Sequence, residues 1–298
     1  AQELNVKSTQ VENAVKLIDD GNTIPFIARY RKEATGGLSD EILRDLGERL
    51  NYLRNLETRK GEVVNSINEQ GKLTDELTIA IASAETLAEV EDLYRPFKQK
   101  KKTRATDAKR KGLEGLAEYL LSFPKTGDVV LEAEKYVTKE VTPEMEKEGL
   151  VVKNANEALQ GAEDIIAEII SDEPKYRRWI RRLFQMQSSL VSQLKDVTLD
   201  PKHTYEMYYN YQEPISEIKL HRILAINRGE AEKVIKVSIS EDVERVLRFL
   251  RKQVIKDPES VTASYVNDAI EDSYKRLIKP SIERDIRAEL KEKAVIND

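Results

Sequence analysis

A mostly α-helical fold follows from three features of the 298-residue sequence. Apolar residues recur every three to four positions over long stretches, the period of one helix face. Hydroxyl and acidic residues stand repeatedly where helix N-caps and their partners belong, as in Thr9/Glu12 and Thr86/Glu89. Finally, 35% of the residues are charged, while only 12 are glycine and 6% aromatic, a balance that suits helices with interleaved charges on their exposed faces. A chain of this length buries roughly 75% of its unfolded surface, enough for one large core or two modest ones.

The first helix is expected to open at the Thr9/Glu12 pair, to carry Val11, Val15 and Ile18 on one face and to end at Gly21. Thr23 caps the next, with Pro25 in its first turn, where the missing N–H costs nothing. Gly36-Gly37 is read as its stop. Leu38, Ser39 and Leu43 have hydrophobic-staple spacing and open a long helix with an apolar stripe at Leu43, Leu46, Leu50, Leu53, Leu56, Val64 and Ile67. Leu46, Leu50 and Leu53 are expected to face inward. Helix-sized pieces follow at 74–84, 86–94, 106–111 and 113–121, and their short links suggest a compact helix-turn-helix-like subdomain.

Beyond Pro124 the pattern gives a helical segment at 129–137 and a strong helix over 154–170 with Ala158, Ala162, Ile165 and Ile169 as its stripe. Another helix starts at Asp172–Pro174 and runs through Phe184. Helices are also expected at 221–228, with Gly229 as C-cap, at 241–256, and over a long stretch from Ser260 that is interrupted or restarted at Pro280. Alternation at Leu190, Ser192, Leu194 and at Ile235, Val237, Ile239 predicts two strands, paired as a small two-stranded ribbon. The organisation expected is a discontinuous helical core of residues 1–60 with 125–298, interrupted by an inserted compact subdomain at 61–124.

The 54 acidic residues outnumber the 49 basic ones, giving a net charge of −5. Nonspecific nucleic-acid affinity comes mainly from phosphate neutralisation. Any such contact here must therefore be a local patch that overcomes the global sign. No apolar run approaches the ~20 residues of a membrane span, so no membrane partner is expected. Zero cysteines remove disulfides and thiolate metal sites and fit a reducing compartment, with the cytoplasm as the default. Two histidines leave almost no material for a His-based metal site or a Ser-His-Asp triad. No catalytic constellation, metal site or cofactor is expected.

The densest basic run comprises Lys98, Lys100, Lys101, Lys102, Arg104, Lys109, Arg110 and Lys111, opposed within the run by Asp107 alone. Clustered cations on a loop between helices can track a phosphate backbone; the bland alternative is a solvated loop that keeps an acidic protein soluble. A second basic face is expected at Arg177, Arg178, Arg181 and Arg182, with Tyr176, Trp179, Ile180 and Leu183 on the opposite, core side. The carboxylates at Glu89, Glu91 and Asp92, or at Glu163, Asp164 and Glu168, could bind a hard cation, but so acidic a chain produces such groupings by chance. Arg177–Arg182 is read as the partner of Asp164 and Glu168. The tyrosines at 205, 208, 209 and 211 are expected to pack between helices or at an interdomain surface.

The order of residues in Thr23–Leu38, TIPFIARYRKEATGGL, resembles the opening block of the Tex family of bacterial RNA-binding transcription accessory proteins. The resemblance continues at 52–56, at 92–94 with 102–106, at 161–168, at 221–230 and at 280–287, nearly the length of the chain. It implies a helical, multi-lobed N-terminal half that ends before an RNase H-like domain, helix-hairpin-helix elements and a C-terminal OB-fold RNA-binding module. The family's partners, RNA or single-stranded nucleic acid, would be met mainly by those missing modules, leaving this part as scaffold with auxiliary phosphate contacts. The competing expectation is a protein-interaction scaffold that docks to RNA polymerase, to other transcription machinery or to the missing domains, without touching nucleic acid.

Overall fold

The structure, a computed structural model, describes residues 1–296. The chain is 64% helical and carries one small antiparallel sheet. It divides into two compact units, residues 1–90 and 91–294. The boundary falls between Val90 and Glu91.

The first unit contains α1 (Ser8–Asp19), α2 (Ile24–Tyr30), α3 (Asp40–Glu69), α4 (Asp75–Ser83) and the start of α5 (Leu87–Tyr94). Its core is Ala14, Ile27, Leu38, Leu43 and Leu46. Local signals place these helices. The Thr23 hydroxyl accepts the Phe26 N–H, and the Ser39 hydroxyl accepts that of Ile42. Leu38 and Leu43 are both buried, as the staple requires. Two starts and stops differ from expectation. Helix α1 is already under way at Thr9, because Gln10 rather than Glu12 reaches back, its Oε1 accepting the Lys7 N–H. Helix α2 ends at Tyr30, and Gly36-Gly37, with φ of 67° and 83°, closes the following turn instead.

The stripe on α3 is only partly as expected. Leu43, Leu46, Leu56, Val63 and Ile67 are buried, but Leu50 is half-buried, Leu53 is 40% exposed and Val63 replaces Val64. The 30-residue helix meets α1 and α2 with its first half and α4 with its second. A strict 3.5-residue repeat also drifts ~20° per heptad on a straight helix. Leu50 and Leu53 fall between the two contacts and line open hollows of about 440 Å³.

The second unit is built on α10 (Ala155–Ser171). Around it lie α6 (Arg104–Arg110), α7 (Glu114–Leu121), α8 (Val129–Glu134) and α14 (Ala263–Asp272). Neighbours on several sides explain why α10 buries Ala158, Leu159, Ala162, Ile165, Ile166, Ala167 and Ile170 while Ile169, expected inside, is 52% exposed. Gly161 allows the close approach: a Cβ there would overlap Leu113 and meet Ala108 at 3.4 Å. Three residues join α6 to α7. Helices α9 (Pro143–Glu148), α11 (Pro174–Gln187), α12 (Leu220–Ala231), α13 (Val243–Val254) and α15 (Lys279–Ile296) complete the unit. The short α9, capped by Thr142, had no apolar period to reveal it.

Strands β1 (Ser189–Leu194), β2 (Asn210–Pro214) and β3 (Ile235–Ser240) form the sheet in the order β2-β1-β3. The expected ribbon is present, with Leu190 opposite Ile239 and Leu194 opposite Ile235. It is not two-stranded, however, because part of the tyrosine segment adds an edge strand. Pro214 ends that strand at the sheet edge, where a missing donor is tolerated. Tyr205 and Tyr208 are buried beside the sheet, and the Tyr209 hydroxyl donates to Asp200 at 2.6 Å.

Gly229 is not a C-cap. It lies inside α12, where a Cβ would meet Ile235 at 3.0 Å and Tyr205 at 3.1 Å; Lys233, at φ 63°, makes the turn into β3. From α14 the chain passes through a wide π turn, Ser273–Ile278, directly into α15. That widening lets the helix continue through Pro280 without its N–H. Among the described residues no helix is long and apolar enough to cross a membrane.

Candidate nucleic-acid interface

The basic loop is held at both ends by local chemistry. Pro96 sits in a short 3₁₀ turn after α5, and the Lys98 N–H returns to the Tyr94 carbonyl at 3.1 Å. At the other end Thr103 and Thr106 cap α6 reciprocally: each hydroxyl accepts the other's N–H, at 3.1 and 2.7 Å. The middle is tied to α10. Lys100 Nζ donates to Glu168 at 2.9 Å and to Asp172, and the Thr103 hydroxyl donates to Glu168 at 2.9 Å. Burial pushes the Asp172 carboxyl up, opposed by the Lys100 hydrogen bond and charge. Lysine thus bridges two carboxylates one helical turn apart that would otherwise repel. The partner of Glu168 is therefore Lys100, not the expected row of arginines.

This anchoring sorts the eight basic residues. Lys100 is consumed within the fold. Lys98, Lys101, Lys102 and Arg104 are exposed and have no salt-bridge partner among the described residues. Lys111 is half-buried. Lys109 and Arg110 are exposed and stand 3.9 Å from Glu114 and 3.7 Å from Glu148, distances at which surface pairs contribute little. The loop therefore presents four cations without salt bridges within seven residues on an anchored backbone, with Arg104 near enough to Asp164 for its charge to offset part of the rise that burial gives that carboxyl's pKa.

The second basic face is divided by its helix. Arg178 and Arg182 are exposed, whereas Arg177 and Arg181 are 0% and 6% exposed and cannot meet a phosphate. At 100° per residue the row spans about 140°, and its edge reaches the side that Ile180 and Phe184 occupy. Arg177 donates to the Ser171 hydroxyl at 2.8 Å, to the Ser171 carbonyl, and to the Ser281 hydroxyl at 3.0 Å, which Arg95 also reaches at 3.0 Å. Burial, then the like charge of Arg95, lowers the Arg177 guanidinium to about 10. Arg181 makes a bidentate pair with Asp92, at 2.5 and 3.0 Å, and a third bond to Asp285 at 3.0 Å. Burial works against its charge, but the carboxylates more than offset it and the Arg181 pKa is raised.

Acidic groups also gather around Glu163 on α10. Burial, with the like charges of Asp268, Asp164 and Asp272, pushes the Glu163 carboxyl from its ordinary 4.5 to about 7. Among the described residues no group of three or more His, Cys, Asp or Glu is placed to hold a metal ion. The raised pKa means that the folded state keeps a proton the unfolded chain releases. Stability is therefore expected to fall as pH rises from about 4.5 to about 7. Glu163→Gln should flatten that fall by ~1–2 kcal/mol, after allowing for partial exposure. Urea melts between these pH values check it; parallel curves for the two proteins would contradict it.

Comparison with known proteins places the chain in a family. Residues 1–68 match the Tex-like protein N-terminal domain and residues 126–296 match the Tex central region-like family. The chain is 47% identical over 295 residues to an uncharacterized protein, YdcI, of Bacillus subtilis, covering 99% of this chain and 40% of that protein. It is 38% identical over 239 residues to the transcriptional accessory protein Tex of Neisseria gonorrhoeae, covering 80% of this chain and 30% of that one. Against the human S1 RNA-binding domain-containing protein 1 it is 32% identical over 305 residues, 97% of this chain and 29% of the relative. The chain thus spans well under half the length of these relatives. It belongs to the Tex family, over that family's N-terminal domain and central region.

Proposed function

We infer that this chain is a helical scaffold of a cytoplasmic, Tex-like transcription accessory protein, and that it adds phosphate-backbone contacts to those of RNA-binding modules elsewhere in the protein. The observation that carries the reading is the set Lys98, Lys101, Lys102 and Arg104, exposed and without salt bridges on a loop that Lys100 and Thr103 fasten to α10. Such cations lose little freedom on meeting phosphates, because the backbone beneath them is already fixed. Relatives named for transcription and for an S1 RNA-binding domain lend support. No catalytic role is assigned.

Reversal of these four residues to Glu is expected to weaken RNA and single-stranded DNA binding about equally across sequences, since phosphate contacts position a protein without reading bases. Folding should hardly change. Equal affinity of the wild type and the reversed variant at low salt would sink the reading. The second reading, a protein-docking scaffold that engages RNA polymerase or further domains of its own protein, draws on the open apolar hollows beside Leu50 and Leu53.

A further inference from the structure

The first unit carries an aromatic pair that its own packing leaves unused. Helix α2 is anchored through Ile27, which is 0% exposed in the core with Ala14, Leu43 and Leu46. Phe26 and Tyr30, one turn apart, are instead 41% and 58% exposed. Their ring centroids lie 5.1 Å apart with planes inclined at 48°, and the Arg29 guanidinium sits 5.5 Å from the Tyr30 centroid. Immediately afterwards the chain makes an ordered turn. The Gly37 N–H returns to the Lys32 carbonyl at 2.8 Å, and Gln10 Nε2 donates to the Gly36 carbonyl at 3.0 Å. Gly36 permits this approach: its φ is 67°, and a Cβ there would crowd Gln10 at 2.8 Å. Arg31 and Lys32, which open the turn directly after Tyr30, are exposed. Arg29, Arg31 and Lys32 have no salt-bridge partner among the described residues, and Glu33 is the one carboxylate among residues 26–33.

Single exposed apolar side chains are ordinary. Two adjacent rings bordered by three unpaired cations have the composition of a base-stacking site, in which aromatic faces take bases and cations take the flanking phosphates. A protein partner that docked through the rings would bury them against a charged border, whereas a nucleic-acid strand uses both features at once. We propose that Phe26 and Tyr30, with Arg29, Arg31 and Lys32, form a stacking platform for unpaired bases of single-stranded nucleic acid. The platform rests on the reading that this chain contacts nucleic acid, but it uses residues of the other unit and a different physical interaction from the 98–104 loop.

The test compares the 298-residue wild type with Phe26→Ala/Tyr30→Ala and with Tyr30→Phe, by fluorescence anisotropy of a labelled oligouridine at several salt concentrations. Each lost base stack should weaken binding roughly 5- to 150-fold. The slope of log affinity against log salt should stay the same, because no phosphate contact is removed. Tyr30→Phe should bind like the wild type, and an RNA duplex, whose bases are hidden, should not distinguish the ring variants. Thermal melts should coincide, since both rings are exposed. Wild-type affinity in the double alanine variant overturns the proposal, as does an equal loss on the duplex or a wild type that does not bind oligouridine at low salt. A loss on ring truncation with none on reversal of Lys98, Lys101, Lys102 and Arg104 keeps the platform and removes the loop reading; the opposite pattern removes the platform.

Discussion

Asp92→Ala is expected to cost ~3–5 kcal/mol, because it leaves the Arg181 guanidinium buried without its bidentate partner. Asp92 and Arg181 are 5% and 6% exposed, so water cannot replace the lost oxygens. Asp285, the remaining carboxylate on Arg181, has a side chain 39% exposed, and its single bond cannot compensate for two. Asp285→Ala should therefore cost clearly less than Asp92→Ala. Replacing both members of the buried pair with apolar residues of similar volume should recover much of the loss, since a well-packed apolar pair often matches a buried ion pair. Chemical denaturation of the three variants decides the matter. A loss below ~1 kcal/mol for Asp92→Ala would mean that the pair is solvated in solution.

The second large effect lies in the first unit. Leu43→Ala should cost ~2–5 kcal/mol, the range for a fully buried leucine whose cavity cannot collapse. Leu43 is 0% exposed, in a core with Leu38 and Leu46. Leu53→Ala, ten residues along the same helix, should stay within ~0.5 kcal/mol, as is usual for surface positions. Leu50→Ala should fall between them, below the full cost expected from the stripe alone, because Leu50 faces open hollows on both sides. Comparable losses at Leu43 and Leu53 would show that the exposed part of α3 is covered in solution.

These positions also mark what the sequence makes legible. Local chemistry is read well: the caps at Thr23, Ser39 and Thr86 and the staple at Leu38 and Leu43 depend on residues a few places apart, although Thr103 starts α6 two residues before the position expected from its pattern. The alternation in β1 and β3 works for the same reason, since Leu190 and Ser192 in β1 and Ile235 and Ile239 in β3 are buried, although Leu194 at the end of β1 is exposed. Failures occur where a distant partner decides. Leu53 matches Leu46 in spacing but lines an open hollow that Val11 and Val15 of α1 do not fill. Gly229 looks like a terminus until Ile235 and Tyr205 are seen pressed against it. Strand β2 alternates Tyr211 and Glu213 with polar neighbours, a pattern that acquires meaning only beside β1.

The candidate interface divides in the same way. Its cations are visible as a run of letters. The distinction between Lys100, spent on Glu168 and Asp172, and its exposed neighbours depends on residues 68 and 72 positions away. Likewise, nothing short of the fold separates Arg177 and Arg181 from Arg178 and Arg182. Nothing local marks Asp92 as the partner of Arg181, because the two lie 89 positions apart. Charge counting along the chain could not choose it from 54 acidic residues. The exposed pair Phe26 and Tyr30 lies inside the block where the family resemblance begins, but helical periodicity alone assigns such residues no side.

The most direct test of the phosphate-contact account is the salt dependence of single-stranded RNA binding by the wild type and by the variant reversed at Lys98, Lys101, Lys102 and Arg104. If all four meet phosphates, the variant's plot of log affinity against log salt should be flatter by up to ~2.8, at ~0.7 per contact on a single strand. Superimposable lines for the two proteins would contradict the account and leave the loop as a solvated surface.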